Sequence, residues 1–363
     1  MTEVADWTHL AQIDPEFEKL LQTLPAPPSI SDTVRDGIPA LRTRLAAVKR
    51  DMNAKLLGDA HLDEISILDT AVAARDGYQI PVRIYKPISA THSPPPISPN
   101  DGSGGGHPLV ILLHGGGFCL GGLDNEELLS RKLAAALKCV VVNVDYRLAP
   151  EHPFPAAVND AWDVVKWAAT TPNDPLSTAD PTAGFIVGGV SAGANLSAVV
   201  GTLARDLPLS PPLTGLLLSV PPVLNAYDPP AAHAGSLRSF EQNAAAPVLD
   251  RAAVDAFFDA YAPDRDSPLF NLYSERQPPV VSRAGLPPVY VQVCGLDPLR
   301  DEALLFEHEL RTEHGTPTKL QLYPGLPHSF WSFFPQLQAS KKWIRDTLEG
   351  VEWLLDTGRK ETS

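Results

Sequence analysis

The chain has 363 residues, 44% hydrophobic and 20% charged, which supplies a sizeable core and excludes a wholly disordered protein. Its 43 Asp and Glu against 29 Lys and Arg leave a net charge of −14, arguing against nucleic acid or an anionic membrane as partner. At this length one large α/β domain and two smaller domains are both open.

The first six residues carry neither a basic nor an apolar leader, and no apolar run is long enough to span a bilayer. A cytoplasmic protein without stable membrane anchoring is expected. Residues 1–60 read as helical: Asp14-Pro15-Glu16 opens one helix, Phe17, Leu20, Leu21 and Leu24 follow at helical spacing, and a second helix spans about 39–49. Lacking an alternating strand pattern, these helices should pack over a sheet as part of a cap. Short β-type runs follow at 64–69 and 80–85 around the turn-forming Asp76-Gly77. Residues 87–107 are rich in Pro, Ser and Gly and cannot form a packed core; they are expected as a mobile surface insertion.

From residue 109 the chain alternates. Strands at 109–113, 140–144, 185–187, 216–220, 289–293 and 320–323 are interleaved with helices at 125–137, 156–169, 194–206, 299–313 and 339–355. Short apolar strands between longer helices predict a mostly parallel sheet flanked by helices, with its active site at the strands' carboxyl ends. Between 225 and 280 the alternation breaks into a Pro/Ala-rich stretch with one helix near 250–262, capped by Asp250. This stretch is expected to leave the sheet and complete the cap. The expected division is therefore a helical cap segment 1–60, a core 61–224 carrying the 87–107 insertion, a cap insertion 225–280 and the rest of the core 281–363. The three cysteines, Cys119, Cys139 and Cys294, are expected as buried thiols.

Gly189-Val190-Ser191-Ala192-Gly193 stands between a strand and a helix, the context of a nucleophile elbow, which makes Ser191 the candidate nucleophile. His114-Gly115-Gly116-Gly117-Phe118 directly follows the 109–113 strand. Its density of glycine lets a substrate carbonyl approach backbone amides, and the N–H groups of Gly116, Gly117 and Ala192 would form an oxyanion hole. The P-loop and dinucleotide patterns both fail here. An acid and a histidine should follow in that order after later strands. Asp297 in Gly295-Leu296-Asp297-Pro298 and His328 in Pro327-His328-Ser329-Phe330 meet this requirement, with Asp301 as rival acid and better suited to bracing a loop. The sequon at Asn195 is discounted because it falls inside the elbow helix of an unsecreted chain. His308-Glu309 lacks the second ligand of a zinc motif, since position 312 is Thr. His114 suits orienting the glycine loop, and neither a metal nor an organic cofactor is called for.

With these segments and Asp145-Tyr146-Arg147-Leu148-Ala149-Pro150-Glu151-His152-Pro153-Phe154-Pro155, the chain resembles the hormone-sensitive-lipase-like carboxylesterases of the α/β-hydrolase superfamily. The resemblance runs from about residue 60 to the C-terminus. It implies an eight-stranded sheet with a helical cap, a triad of Ser191, Asp297 and His328, oxyanion donors from Gly116, Gly117 and Ala192, and Glu151 in support near the elbow. One departure is Val190, where the family usually carries an acidic residue. The implied activity is hydrolysis of a small-molecule ester, commonly with a short acyl chain. A biosynthetic acyl transfer or ring-forming step in the same pocket is the alternative, and a silent receptor is disfavoured because His328 is present. A homodimer, as in relatives, is left open.

Overall fold

The computed structural model describes residues 6–23, 30–31, 37–57, 64–88, 106–170, 175–207, 209–274 and 283–362. Most of the 87–107 insertion therefore lies outside the described residues.

Eight strands form one sheet: β1 (Ile65–Ala73), β2 (Gln79–Pro87), β3 (Leu109–Leu113), β4 (Val140–Val144), β5 (Phe185–Val190), β6 (Gly215–Ser219), β7 (Val289–Leu296) and β8 (Thr318–Pro327). Their order across the sheet is β1-β2-β4-β3-β5-β6-β7-β8. The first two pairings, β1 with β2 and β2 with β4, are antiparallel, and the remaining six strands run parallel. The central parallel strands are mostly apolar because helices cover both faces. Alternate residues of β3 divide between two cores: Leu109, Ile111 and Leu113 face one, Val110 and Leu112 the other.

The helices are α1 (Pro15–Thr23), α2 (Ile38–Leu57), α3 (Glu127–Leu137), α4 (Ala156–Thr170), α5 (Ala192–Asp206), α6 (Ser239–Gln242), α7 (Arg251–Tyr261), α8 (Arg300–Thr312), α9 (Phe330–Phe333) and α10 (Gln338–Thr362). Apolar residues of α4, α5 and α8 fill one core; those of α3 and α10 fill the other. Asp14 caps α1 by accepting the Glu16 and Phe17 N–H groups, and Asp250 caps α7 by accepting that of Ala253. The strands at 64–69 and 320–323 prove longer than their sequence signal. Polar residues in β1 and β8 break the apolar run, while ladder pairing carries each strand on. The helix expected from Asn125 starts at Glu127, and that expected over 39–49 runs to Leu57.

The N-terminal segment crosses the carboxyl ends of the last two strands. Asp14 N–H donates to Gly325 O at 3.1 Å, and the Leu10 carbonyl lies so close to Gly295 that a Cβ there would stand 2.0 Å from it. The segment beginning at 225 reaches the same edge: Arg238 and Ser239 donate their N–H groups to Asp301 Oδ2 at 2.8 and 2.7 Å. Asp301 thus fastens the 238–239 backbone to the start of α8. All three cysteines are free and buried. Among the described residues no helix is long and apolar enough to cross a membrane.

Candidate active site

Ser191 stands between β5 and α5 with φ 54° and ψ −119°, a conformation that strains a residue bearing a side chain. Its environment leaves little alternative: a Cβ on Gly193 would lie 2.0 Å from Leu113 O, and one on Gly189 would lie 2.5 Å from the Gly193 backbone. Strand and helix are therefore pressed together, and the serine is held at the apex. Its N–H donates to Ser219 O at 2.8 Å, fixing the elbow to the neighbouring strand end. Val190, the position where an acid was missed, is buried in the apolar core shared with α3 and α10. Asn195, one turn into α5, is 1% exposed and its amide donates to Pro222 O and Phe270 O, both at 2.8 Å. The sequon is therefore inaccessible.

Asp297 follows β7 and His328 follows β8. The ladder pairs Leu296 with Pro327, so the next residue of each strand faces the other, and His328 Nδ1 lies 2.7 Å from Asp297 Oδ2. Both are buried, at 6% and 1% exposure. Asp297 Oδ1 accepts the Leu299 N–H at 2.9 Å, and its carbonyl accepts the Asn243 amide at 2.9 Å, so the aspartate is held from three sides. Among the described residues the Ser191 hydroxyl takes part in no hydrogen bond, including none to His328. The histidine–acid half of the arrangement is formed, and the serine half is open, a common state of unliganded sites.

The glycine loop supplies the third component. Gly116 and Gly117 have φ of +127° and +59°, and no hydrogen bond of the described residues uses their N–H groups. The Ala192 N–H lies in the first turn of α5, where helical geometry leaves it without an intrahelical partner. His114 anchors the loop. Its ring stacks on Tyr146 at 4.2 Å, its Nδ1 sits 2.9 Å from Gly115 O, and the Tyr146 hydroxyl donates to the His114 carbonyl at 2.7 Å. Burial pulls the imidazole down to about 4, so at neutral pH it is uncharged and suited to packing.

Four side chains without a sequence signal complete the site. Arg42 of α2 donates to Cys119 O and Ala149 O at 2.8 and 2.7 Å and pairs with Glu151, tying α2 to the loop that follows the glycines. Glu151 is thus an exposed partner of Arg42 in the loop neighbouring Cys119. Phe257 of α7 lies against Gly117, where a Cβ would stand 2.3 Å from its ring. Asn243 holds the Asp297 carbonyl. Glu302, 4% exposed, accepts the Val223 and Leu224 N–H groups, both at 2.9 Å, where the chain leaves the sheet after β6. Each of these joins segments far apart in sequence, so no local spacing could have marked them.

Residues 110–332 match the alpha/beta hydrolase fold family. A carboxylesterase of Mycobacterium tuberculosis, NlhH, is 36% identical over 88% of this chain and 89% of its own. A Schizosaccharomyces pombe protein of the AB hydrolase superfamily is 38% identical over 82% of this chain and 83% of its own. Among solved structures, vibralactone cyclase superposes with a TM-score of 0.85 at 30% identity, covering 96% of this chain and 97% of that one. The chain belongs to the α/β-hydrolase family, in its hormone-sensitive-lipase-like carboxylesterase branch. It is an enzyme of the serine ester hydrolase class.

Proposed function

We propose that the protein hydrolyses small carboxylic esters with short acyl chains through Ser191, His328 and Asp297. The observation that carries this reading is the 2.7 Å contact of His328 Nδ1 with Asp297 Oδ2, together with the strained Ser191 elbow. His328 Nε2 removes the hydroxyl proton as Ser191 Oγ attacks the ester carbonyl, and Asp297 holds the tautomer and balances the imidazolium. The carbonyl oxygen becomes negative in the tetrahedral intermediate, where the N–H groups of Gly116, Gly117 and Ala192 receive it. On collapse the C–O bond to the alcohol breaks, the alcohol leaves with the proton from His328, and an acyl-enzyme remains. Water activated by the same histidine then releases the acid and restores the serine.

Hydrolysis of p-nitrophenyl esters of increasing acyl length tests this reading, with wild type set against Ser191→Ala. Turnover of short esters that disappears in the variant is expected. A variant that keeps its rate would overturn the assignment.

A second reading draws on the similarity to vibralactone cyclase. If the substrate carries its own hydroxyl, that group attacks the acyl-enzyme in place of water and a lactone is released. Product analysis separates the two outcomes: free acid from hydrolysis, ring or transferred ester from the alternative.

A further inference from the structure

We propose that Asn243 is a positioning residue for the candidate acid, holding the stretch from Gly295 to Asp297 so that Asp297 meets His328, an inference that rests on the triad reading above. The need for such a residue arises in the sheet. Cys294 pairs with Tyr323 and Leu296 with Pro327, so a step of two residues along β7 is matched by one of four along β8. Regular ladder spacing is therefore lost immediately before the two residues that must meet. Strand pairing does not fix Gly295 by itself, and its carbonyl finds side-chain partners instead.

Asn243 directly follows α6 and is 4% exposed. Its amide nitrogen donates to Gly295 O at 3.3 Å and to Asp297 O at 2.9 Å, so both of its protons serve the two carbonyls that flank Leu296. Arg300 reaches the same carbonyls: its guanidinium donates to Gly295 O and its backbone N–H to Asp297 O, both at 3.1 Å. Arg300 opens α8 just beyond the acid, so its contacts travel with the loop. Asn243 lies 54 residues before Asp297, between β6 and β7, and ties the loop to a separate part of the chain.

Asn243 is itself held. Its N–H donates to Ser239 O at 2.9 Å, and its carbonyl accepts the Ala246 N–H at 3.0 Å. In the same turn, Ser239 Oγ donates to Pro298 O at 2.8 Å and accepts the Asp301 N–H at 3.0 Å, while Gln242 Oε1 accepts the Arg300 guanidinium at 2.8 Å. Ser239 and Gln242 thus fasten the residues after the acid, and Asn243 grips the acid's own carbonyl. The direction of the Asp297 carboxylate follows from that backbone, with Oδ1 on the Leu299 N–H and Oδ2 on His328 Nδ1.

Steady-state kinetics on p-nitrophenyl acetate test this with Asn243→Ala, which removes both donated bonds, and Asn243→Ser, whose single hydroxyl proton cannot serve two carbonyls at once. Asn243→Ala should lower kcat about 10- to 100-fold with little change in KM, the scale expected when a catalytic group is slightly misplaced. Asn243→Ser should fall between it and the wild type, and it carries the comparison if the alanine variant does not fold. The same substitution is then made in an Asp297→Asn background. A residue that acts through Asp297 loses its effect once the carboxylate is gone, so the added change should alter kcat by less than about twofold. An equal fall in both backgrounds would show a general structural role and overturn the proposal, as would an unchanged kcat in the folded single variants. If Ser191→Ala and Asp297→Asn lose turnover while the Asn243 variants keep it, the triad stands and the positioning role fails. If Asp297→Asn keeps the wild-type rate, both fall.

Discussion

Leu296 pairs with Pro327 across the last two strands, and this register delivers Asp297 to His328 at 2.7 Å. Asp301, the second residue of α8, instead accepts the backbone N–H groups of Arg238 and Ser239 and an N–H of the Arg300 guanidinium. The two carboxylates should separate cleanly in mutants. Asp297→Asn should lower kcat by about 1,000- to 10,000-fold with little change in the unfolding midpoint, because the imidazole loses its correct tautomer. Asp301→Asn should leave most of kcat and lower stability, because the charge that holds the Arg238 and Ser239 N–H groups is gone. Parallel ester assays and urea melts decide this, and equal loss of kcat in both variants would refute the division of roles.

The elements that organise this site were legible because each is local. A Gly-x-Ser-x-Gly turn needs its own glycines where strand and helix meet, and the histidine–glycine loop needs no distant partner to be recognised. Asp297 and His328 could be placed because each comes within a few residues of a strand signal, at 289–293 and 320–323. Arg42 was not legible: it is a helical arginine whose partners Cys119, Ala149 and Glu151 lie 77 to 109 residues away. Phe257 was equally hidden, since an aromatic at helical spacing looks like core until Gly117 is seen beneath it. Strand limits were missed in β1 and β8 because polar residues interrupt the apolar signal there, and hydrogen bonding to a neighbour sustains the strand regardless.

Gly117→Ala tests the contact between α7 and the glycine loop. The new methyl would stand 2.3 Å from the Phe257 ring at a φ of +59°, so both packing and backbone oppose it. Overpacking and left-handed strain together should cost about 2–5 kcal/mol, and displacement of the loop should reduce kcat more than KM. Adding Phe257→Ala relieves the clash but removes a buried ring, itself costing about 3–5 kcal/mol, so the double variant should gain no stability, while its loss should be smaller than the sum of the two single losses. Denaturant midpoints and steady-state kinetics on the single and double variants provide the comparison; an unchanged kcat in Gly117→Ala would count against the oxyanion role.

Arg42 and Glu151 form an ion pair, yet the two should not be equivalent in mutants. Their side chains are 24% and 45% exposed, so the pair itself is screened and contributes about 0–1 kcal/mol. The carbonyl contacts of Arg42 to Cys119 and Ala149 are less exposed to water. Arg42→Ala should therefore cost about 1–3 kcal/mol and raise KM, whereas Glu151→Gln should be nearly silent. Arg42→Lys should fail to restore the wild type because one ammonium cannot reproduce the forked contacts. Added salt should change little, and a marked salt dependence would show that the ion pair dominates after all.

Glu302 gives the stability curve a pH signature. Burial pushes its carboxyl from the ordinary 4.5 up to about 8, against the opposing hydrogen bonds from Val223 and Leu224. Below pH 4.5 the group is protonated whether the chain is folded or not, so it adds no pH dependence. Between about 4.5 and 8 the unfolded chain ionises it while the folded chain keeps its proton, so stability falls as pH rises through this window. Above about 8 both forms are ionised and the loss is complete, amounting to a few kcal/mol. Glu302→Gln retains an oxygen to accept both N–H groups and cannot ionise. The variant should match the wild type near pH 4.5 and exceed it in unfolding midpoint by pH 8, with the gap opening steadily between. Parallel curves over that range would mean that the carboxylate is already ionised in the folded protein, held by its two backbone donors.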